Sequence, residues 1–196
     1  MNKKTLPTGE EPPKGFESVV NLGISDDSLH VDSVVLSQLA SIERSEIETL
    51  RAKALAPITT LTGLADGALA FEHEMNIIPN KNASEKLLFR AYLGKTLVAY
   101  ALVIIGWPNN GEWVIQHMIV DPDHRLKGIG SSIVVAIEEF AVSAEVEATK
   151  IFAVPIQKSG TTFWRNMGYS DASDYHQFKI DTLGRELTVY RKGLQE

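Results

Sequence analysis

Residues Trp113–Ala144 read WVIQHMIVDPDHRLKGIGSSIVVAIEEFAVSA, and this stretch decides the fold. Trp113–Val120 is apolar and rich in β-branched residues, as a buried strand requires. Asp121-Pro122-Asp123-His124 turns the chain. From Gly130, Ile133, Ile137, Phe140, Ala141 and Ala144 recur on one helical stripe, with Glu138, Glu139 and Glu145 elsewhere. The joint is Arg125-Leu126-Lys127-Gly128-Ile129-Gly130. Two glycines two apart at a helix start let the backbone approach another group closely. The first N–H groups of that helix lack intrahelical partners and carry the positive end of its dipole. Such an end suits a phosphate or pyrophosphate, and Arg125 and Lys127 add charge beside it. The stretch is therefore an anion-binding turn between a buried strand and an amphipathic helix.

Upstream, Lys86–Leu93 and Thr96–Trp107 flank Gly94-Lys95, which suits a two-residue type II′ hairpin. Pro108-Asn109-Asn110-Gly111 turns into the Trp113 strand, so three strands form an antiparallel meander. Downstream, Lys150–Ile156 is a strand; the helix before it places it parallel to Trp113–Val120 through a right-handed crossover. A short helix from Ser159 to Met167 ends at Gly168, a good C′ residue. His176–Asp181 and Glu186–Arg191 are expected to close the chain as a hairpin around Leu183-Gly184.

Before the meander, residues 1–15 are polar and read as a flexible arm. Phe16–Ile24 and His30–Leu36 compete for the first strand. A helix is expected from Ser45, where Ser45 and Glu48 have capping-box spacing and Ile47, Leu50 and Ala54 share a face; Pro57 ends it. A second helix is expected over Leu61–Asn76, followed by a loop at Pro79-Asn80-Lys81-Asn82. Residues 16–196 thus form one α/β domain with a mixed sheet.

Bulk properties narrow the function classes. The chain has 196 residues, 44% hydrophobic and 22% charged, ordinary for a soluble globular domain. A net charge of −6 leaves no basic excess to neutralise nucleic-acid phosphates. The absence of cysteine excludes disulfides, thiolate metal sites and a cysteine nucleophile. Leu97–Ile105 is too short to span a membrane, and MNKKTLPTGEEPPKG lacks the apolar core of a signal peptide. A soluble cytoplasmic protein is expected, with no nucleic-acid or membrane partner. A P-loop is excluded because Gly130-Ser131-Ser132 has no lysine, and a dinucleotide fold because the turn follows an antiparallel meander.

The meander leading into Arg125-x-x-Gly128-x-Gly130, then a strand and a short helix ending in Phe163-Trp164-Arg165-Asn166-Met167-Gly168-Tyr169, resembles the GNAT superfamily of acyl-CoA-dependent N-acyltransferases. The likeness covers Lys86 to the C-terminus. It implies a single-domain, mixed and mostly antiparallel sheet with a central splayed parallel strand pair and flanking helices. The implied reaction transfers acetyl from acetyl-CoA, as co-substrate and without a metal, to a primary amine of a small molecule, peptide or protein. The alternative is a non-catalytic acyl-CoA sensor of the same fold. A protein whose coenzyme A site has decayed is disfavoured by the intact glycine pair. The oligomeric state is open, a homodimer included.

The resemblance also assigns residues. Backbone N–H groups of Arg125, Leu126, Lys127, Gly128, Ile129, Gly130 and Ser131 are expected to hold the pyrophosphate. Met118, counted back from Gly128, would offer its N–H to the thioester carbonyl, with Val120, Gln157 and Trp164 also along the cofactor. The family's base is often a glutamate aligned with Val114; Glu112 and Gln116 share its face by strand alternation, so Glu112 becomes the candidate base. His117 is expected on the opposite face. The family's acid is often a tyrosine at the position of Trp164, which cannot donate a useful proton. Tyr169 is expected to pack in the core. Phe71-Glu72-His73-Glu74 could present carboxylates to a cationic amine, but a solvated helix face is the commoner role of such residues.

Overall fold

Thr96–Ile105 is the middle of the molecule. All its positions from Leu97 onward are buried, so both faces are covered, and the apolar run is a central strand. The computed structural model describes residues 17–20, 28–62, 85–143, 149–153, 160–172, 175 and 188–194. In chain order the strands are β1 (Glu17–Val20), β2 (Leu29–Val35), β3 (Glu85–Leu93), β4 (Thr96–Ile105), β5 (Glu112–Val120), β6 (Lys150–Ala153), β7 (Ser170–Asp171) and β8 (Tyr190–Gly193). They form one sheet in the order β1-β2-β3-β4-β5-β6-β8-β7. Every pair is antiparallel except β5 with β6, where Glu112 pairs Lys150 and Ile115 pairs Ala153.

The meander follows the expected turns. Gly94 has φ 57 and Lys95 does not share its positive φ, which fits type II′ rather than type I′. Both competing N-terminal segments are strands and pair with each other. The closing strand lies further along than expected, at Tyr190–Gly193, and its partners are β6 and β7. The expected partner His176–Asp181 lies outside the described residues.

Helices cover both faces. One is α1 (Ser41–Thr62), which sets Ile47, Leu50 and Ala54 on Leu88, Tyr100, Leu102 and Ile119. On the other face α2 (Ile129–Ser143) sets Ile133, Ile137, Phe140 and Ala141 on Phe89, Ala101, Val103, Trp113 and Ile115. The short α3 (Gly160–Asn166) adds Trp164 to that second core. A Schellman motif closes α3: Gly168 has φ 86, its N–H bonds the Arg165 carbonyl, and the Tyr169 N–H bonds the Trp164 carbonyl.

The first helix departs from expectation at both ends. It begins at Ser41, where the Glu43 carboxylate accepts the Ala40 N–H at 2.8 Å, half a capping box with alanine at the cap. It continues past Pro57 to Thr62, although proline cannot donate to the preceding turn. The rest of the expected second helix lies outside the described residues. An ion trio fixes the start of α1 to the sheet. Arg90 on β3 donates twice to Asp32 on β2, at 2.7 Å each, and also to Glu43.

Candidate functional site: an anion-binding turn at the end of β5

The site is built from β5, the turn after it and the start of α2. Along β5 the register with β4 shifts once: Leu102 pairs His117, but Val103 pairs Ile115. Gln116 is the extra residue, a β-bulge that reverses the alternation beyond it. Met118 and Val120 therefore pack toward the α2 side, with Trp113 and Ile115. His117 lies on the α1 side, its ring 5.5 Å from Tyr100. It thus shares a face with Val114, whose partner Ile104 sits beside Leu102 in alternation. The expectation that His117 faces away from Val114 is corrected, and the bulge is the reason. Gln116 itself accepts from Lys86 Nζ at 3.3 Å.

The ladder also decides where β5 points its N–H groups. Asp121 N–H bonds the Val98 carbonyl at 2.8 Å, and these residues continue the register in which Val120 pairs Ala99. Bonded and non-bonded pairs alternate in an antiparallel ladder, so Met118 and Val120 fall at non-bonded positions. Their N–H and C=O groups point away from β4, toward the edge shared with β6. Among the described residues, pairing with β6 runs from Glu112 with Lys150 to Ile115 with Ala153. Among the described residues, no strand pairs with Gln116–Val120 on that edge.

After β5, Pro122–His124 makes a 3-10 turn capped by Asp121, whose Oδ1 accepts the Asp123 N–H at 3.0 Å. The chain then turns sharply: Leu126 has φ 62 and Gly128 φ 83. Leu126 is the one described non-glycine residue in the left-handed region, a conformation that costs energy in any branched side chain and concentrates at ligand-binding turns. Its side chain is fully exposed. The first bond back into the turn runs from Ser132 N–H to the Gly128 carbonyl at 3.0 Å, so the N–H groups of Ile129, Gly130 and Ser131 have no intrahelical partner. Arg125 and Lys127 are exposed beside them. Arg125 Nε donates to the Val120 carbonyl at 3.3 Å, and Lys127 Nζ to the Asp123 carbonyl at 3.0 Å. The donors are backbone groups and cations, chemistry that fits a pyrophosphate.

The two glycines serve different ends. Gly128 supplies the positive φ. Gly130 lets two side chains come close, for a Cβ there would stand 3.4 Å from the Phe163 ring and 3.5 Å from the Met118 methyl. Phe163 thus joins α3 to the start of α2 and to the strand carrying Met118. Sequence reading had not assigned it; its place beside Trp164 in the aromatic helix was the available signal. Trp164 is buried, with its ring 5.0 Å from both Phe163 and Tyr169. Tyr169 packs in the core as expected, and burial, with the Glu138 carboxylate nearby, pushes its hydroxyl well above the usual tyrosine range.

Glu112 is not brought to Met118. The two are six positions apart on one strand, or about 20 Å at roughly 3.3 Å per residue. Its carboxylate is engaged elsewhere: Oε2 accepts from Asn109 Nδ2 at 2.6 Å and from the Tyr175 hydroxyl at 2.8 Å, and Lys150 Nζ lies 3.6 Å from Oε1. A general base must reach its proton directly or through one water. The contacts of the Glu112 carboxylate tie the turn before β5 to β6 and to Tyr175. Gln157 and Phe71-Glu72-His73-Glu74 lie outside the described residues. No group of three or more His, Cys, Asp or Glu side chains among the described residues could hold a metal ion. No described helix is long and apolar enough to cross a membrane.

Comparison with known proteins places this arrangement. No curated protein sequence matches the chain significantly. Solved structures do. An acetyltransferase of the GNAT family from Staphylococcus aureus Mu50 superposes with a TM-score of 0.61 at 14% identity, covering 84% of this chain and 99% of that one. The ribosomal-protein-S18-alanine N-acetyltransferase of Escherichia coli gives 0.55 at 13% identity, covering 85% and 95%. The PaiA N-acetyltransferase of Thermoplasma acidophilum, solved in complex with coenzyme A, gives 0.57 at 9% identity, covering 83% and 98%. At such identities the likeness is one of fold. The model of the acetyltransferase (GNAT) family matches residues 59–169, more than half the chain, and spans β3 to the end of α3. The chain belongs to the GNAT acetyltransferase family.

Proposed function

We propose that the chain transfers an acetyl group from acetyl-CoA to a primary amine, with the Arg125–Ser131 turn holding the pyrophosphate. The observation that carries this reading is the pairing of that turn with an outward Met118 N–H on the strand feeding it. Acetyl-CoA supplies an activated acyl thioester. The backbone N–H groups of Ile129, Gly130 and Ser131 bind its phosphate oxygens, with Arg125 and Lys127 adding charge. The Met118 N–H, directed to the β6 side of β5, donates to the carbonyl oxygen as negative charge develops there. Val120 borders the same edge, and Gln157 is the candidate partner for the amides of the pantetheine arm. Trp164 walls the site through Phe163, and its indole N–H is too weakly acidic to serve as a general acid.

The amine must lose a proton before or during attack. β5 carries two side chains able to take one, Glu112 and His117. The first is too distant from Met118, and the second is its immediate neighbour on the face of Val114. We assign His117 as the candidate base.

The test is calorimetric titration with coenzyme A, followed by assay of free thiol released from acetyl-CoA with a panel of amines. Micromolar binding and amine-dependent thiol release are expected. Gly128→Glu places a side chain and a negative charge in the turn and should abolish binding in a folded protein. Binding that survives this change overturns the site. Tight binding with no thiol release from any amine would favour the acyl-CoA sensor.

A further inference from the structure

Asp121 and Asp123 put two carboxylates immediately before Arg125, where the proposed function, on which this inference rests, requires positive potential. Lys53, far along α1, answers both. Its Nζ lies 2.7 and 2.8 Å from the two Asp121 oxygens and 2.8 Å from Asp123 Oδ2. The Asp121 carboxylate also accepts the Asp123 N–H and so shapes the 3-10 turn. His124 Nδ1, 3.7 Å away, is the other basic group facing it. This small turn is the foundation of the anion site, since the Val120 carbonyl anchors Arg125 and the Asp123 carbonyl anchors Lys127.

We propose that Lys53 is a positioning residue for the nucleotide end of coenzyme A: it neutralises the Asp121–Asp123 pair at the root of the turn and ties that root to α1. Without it, two carboxylates stand next to a bound pyrophosphate, and the segment anchoring both cations loses its link to the helix. Lys53 lies outside the Arg-x-x-Gly-x-Gly motif and outside residues 59–169, so no family signature announces it. The arrangement also couples the two sides of the sheet. α1 packs on one face and α2 on the other, and Lys53 is where α1 touches the turn that begins α2. The Lys53 side chain is 45% exposed and that of Asp123 74%, so dissolved ions screen the interaction and its strength falls with salt.

Full-length wild type, Lys53→Met and Lys53→Arg are compared by calorimetry with coenzyme A and by steady-state kinetics with acetyl-CoA and S-acetyl-pantetheine, which lacks the nucleotide and its phosphates. Lys53→Met should weaken coenzyme A binding and raise KM for acetyl-CoA by about tenfold at low salt, as expected when two carboxylates lose their cation beside a bound pyrophosphate. The gap should narrow as salt rises, kcat should hold, and KM for S-acetyl-pantetheine should not move. Lys53→Arg should behave as wild type, and adding Asp123→Asn to Lys53→Met should recover part of the affinity. A folded Lys53→Met protein that binds coenzyme A like wild type overturns the inference alone. So does an equal loss with both thioesters, which would mark a general structural role. A wild-type chain that does not bind coenzyme A would overturn the proposed function and this inference with it.

Discussion

Gly128 and Gly130 sit two residues apart in one motif, yet substitution should separate them. Gly128 has φ 83, where a Cβ is strained whatever the surrounding space. Gly128→Ala should cost about 1–2 kcal/mol of stability and weaken coenzyme A binding, because the turn must shift to relieve the strain. Gly130 is helical, and its Cβ would press on Phe163 at 3.4 Å, a half-buried ring with room to give. There the gain of about 1 kcal/mol in helix propensity offsets the crowding, so Gly130→Ala should leave the denaturation midpoint nearly unchanged. Glu112 and His117 divide in the same way. His117→Gln should lower turnover near neutral pH, with partial recovery at higher pH where more of the amine is already deprotonated; a general base contributes on the order of a hundredfold. Glu112→Gln should instead leave the pH–rate profile in place and lower stability, since its carboxylate holds Asn109 and Tyr175. A collapsed profile for Glu112→Gln with a wild-type profile for His117→Gln would reverse the two assignments.

At the scale of elements, the start of α1 rests on one guanidinium. Arg90 is nearly buried and serves Asp32 and Glu43 together. Arg90→Met would leave both carboxylates without their cation. Because they are partly exposed, the loss measured by denaturant unfolding should be about 2–3 kcal/mol, below the ~3–5 of a fully buried broken pair. Combining it with Asp32→Asn should cost less than the sum of the two single changes. This helix was also the least legible element. Its cap is Ala40, a poor cap type, and the satisfying carboxylate comes from Glu43 within the helix, while Ser45 and Glu48 imitate a start further on. Pro57 reads as a stop, yet the helix runs on to Thr62. The meander and α2 were legible because turn chemistry and periodicity agree there. The bulge at Gln116 was not: a near-continuous apolar run from Trp113 to Val120 carries no alternation to break, and the extra residue appears only against β4. So the turn and Met118 could be read in advance, whereas the side on which His117 lies could not. Lys53 and Phe163 were missed for a related reason, since each meets the site through pairing of distant segments.

For the whole molecule, ion pairs and raised tyrosines set the response to pH. Burial alone would raise the Asp121 and Glu43 carboxyls, but hydrogen bonds from Lys53 and the Asp123 N–H, and from Arg90 and the Ala40 N–H, outweigh it and hold both below the usual carboxylate range. Groups with lowered folded pKa values stabilise the fold above their unfolded values, and that contribution is lost as pH falls through the folded ones. The melting temperature should therefore fall below about pH 4. At the other end, hydrogen bonds from Lys53 to Asp121 and Asp123 raise its ammonium above the usual lysine range. Tyr175 is pushed up to about 12, by burial first and then by donating to Glu112. Raised groups stabilise the fold fully below their unfolded values and lose that contribution as pH climbs through the folded ones. A plateau is thus expected from about pH 5 to 9, with a second decline between about pH 10 and 12. Tyr175 gives that decline a separate signature, because tyrosinate absorbs in the ultraviolet where lysine is silent. Tyr175→Phe should remove one late-titrating tyrosine from the absorbance curve and flatten the alkaline decline, while leaving the acid limb where it was. An unchanged alkaline limb in that variant would place the sensitivity at the other raised groups, Lys53 and the buried Tyr169.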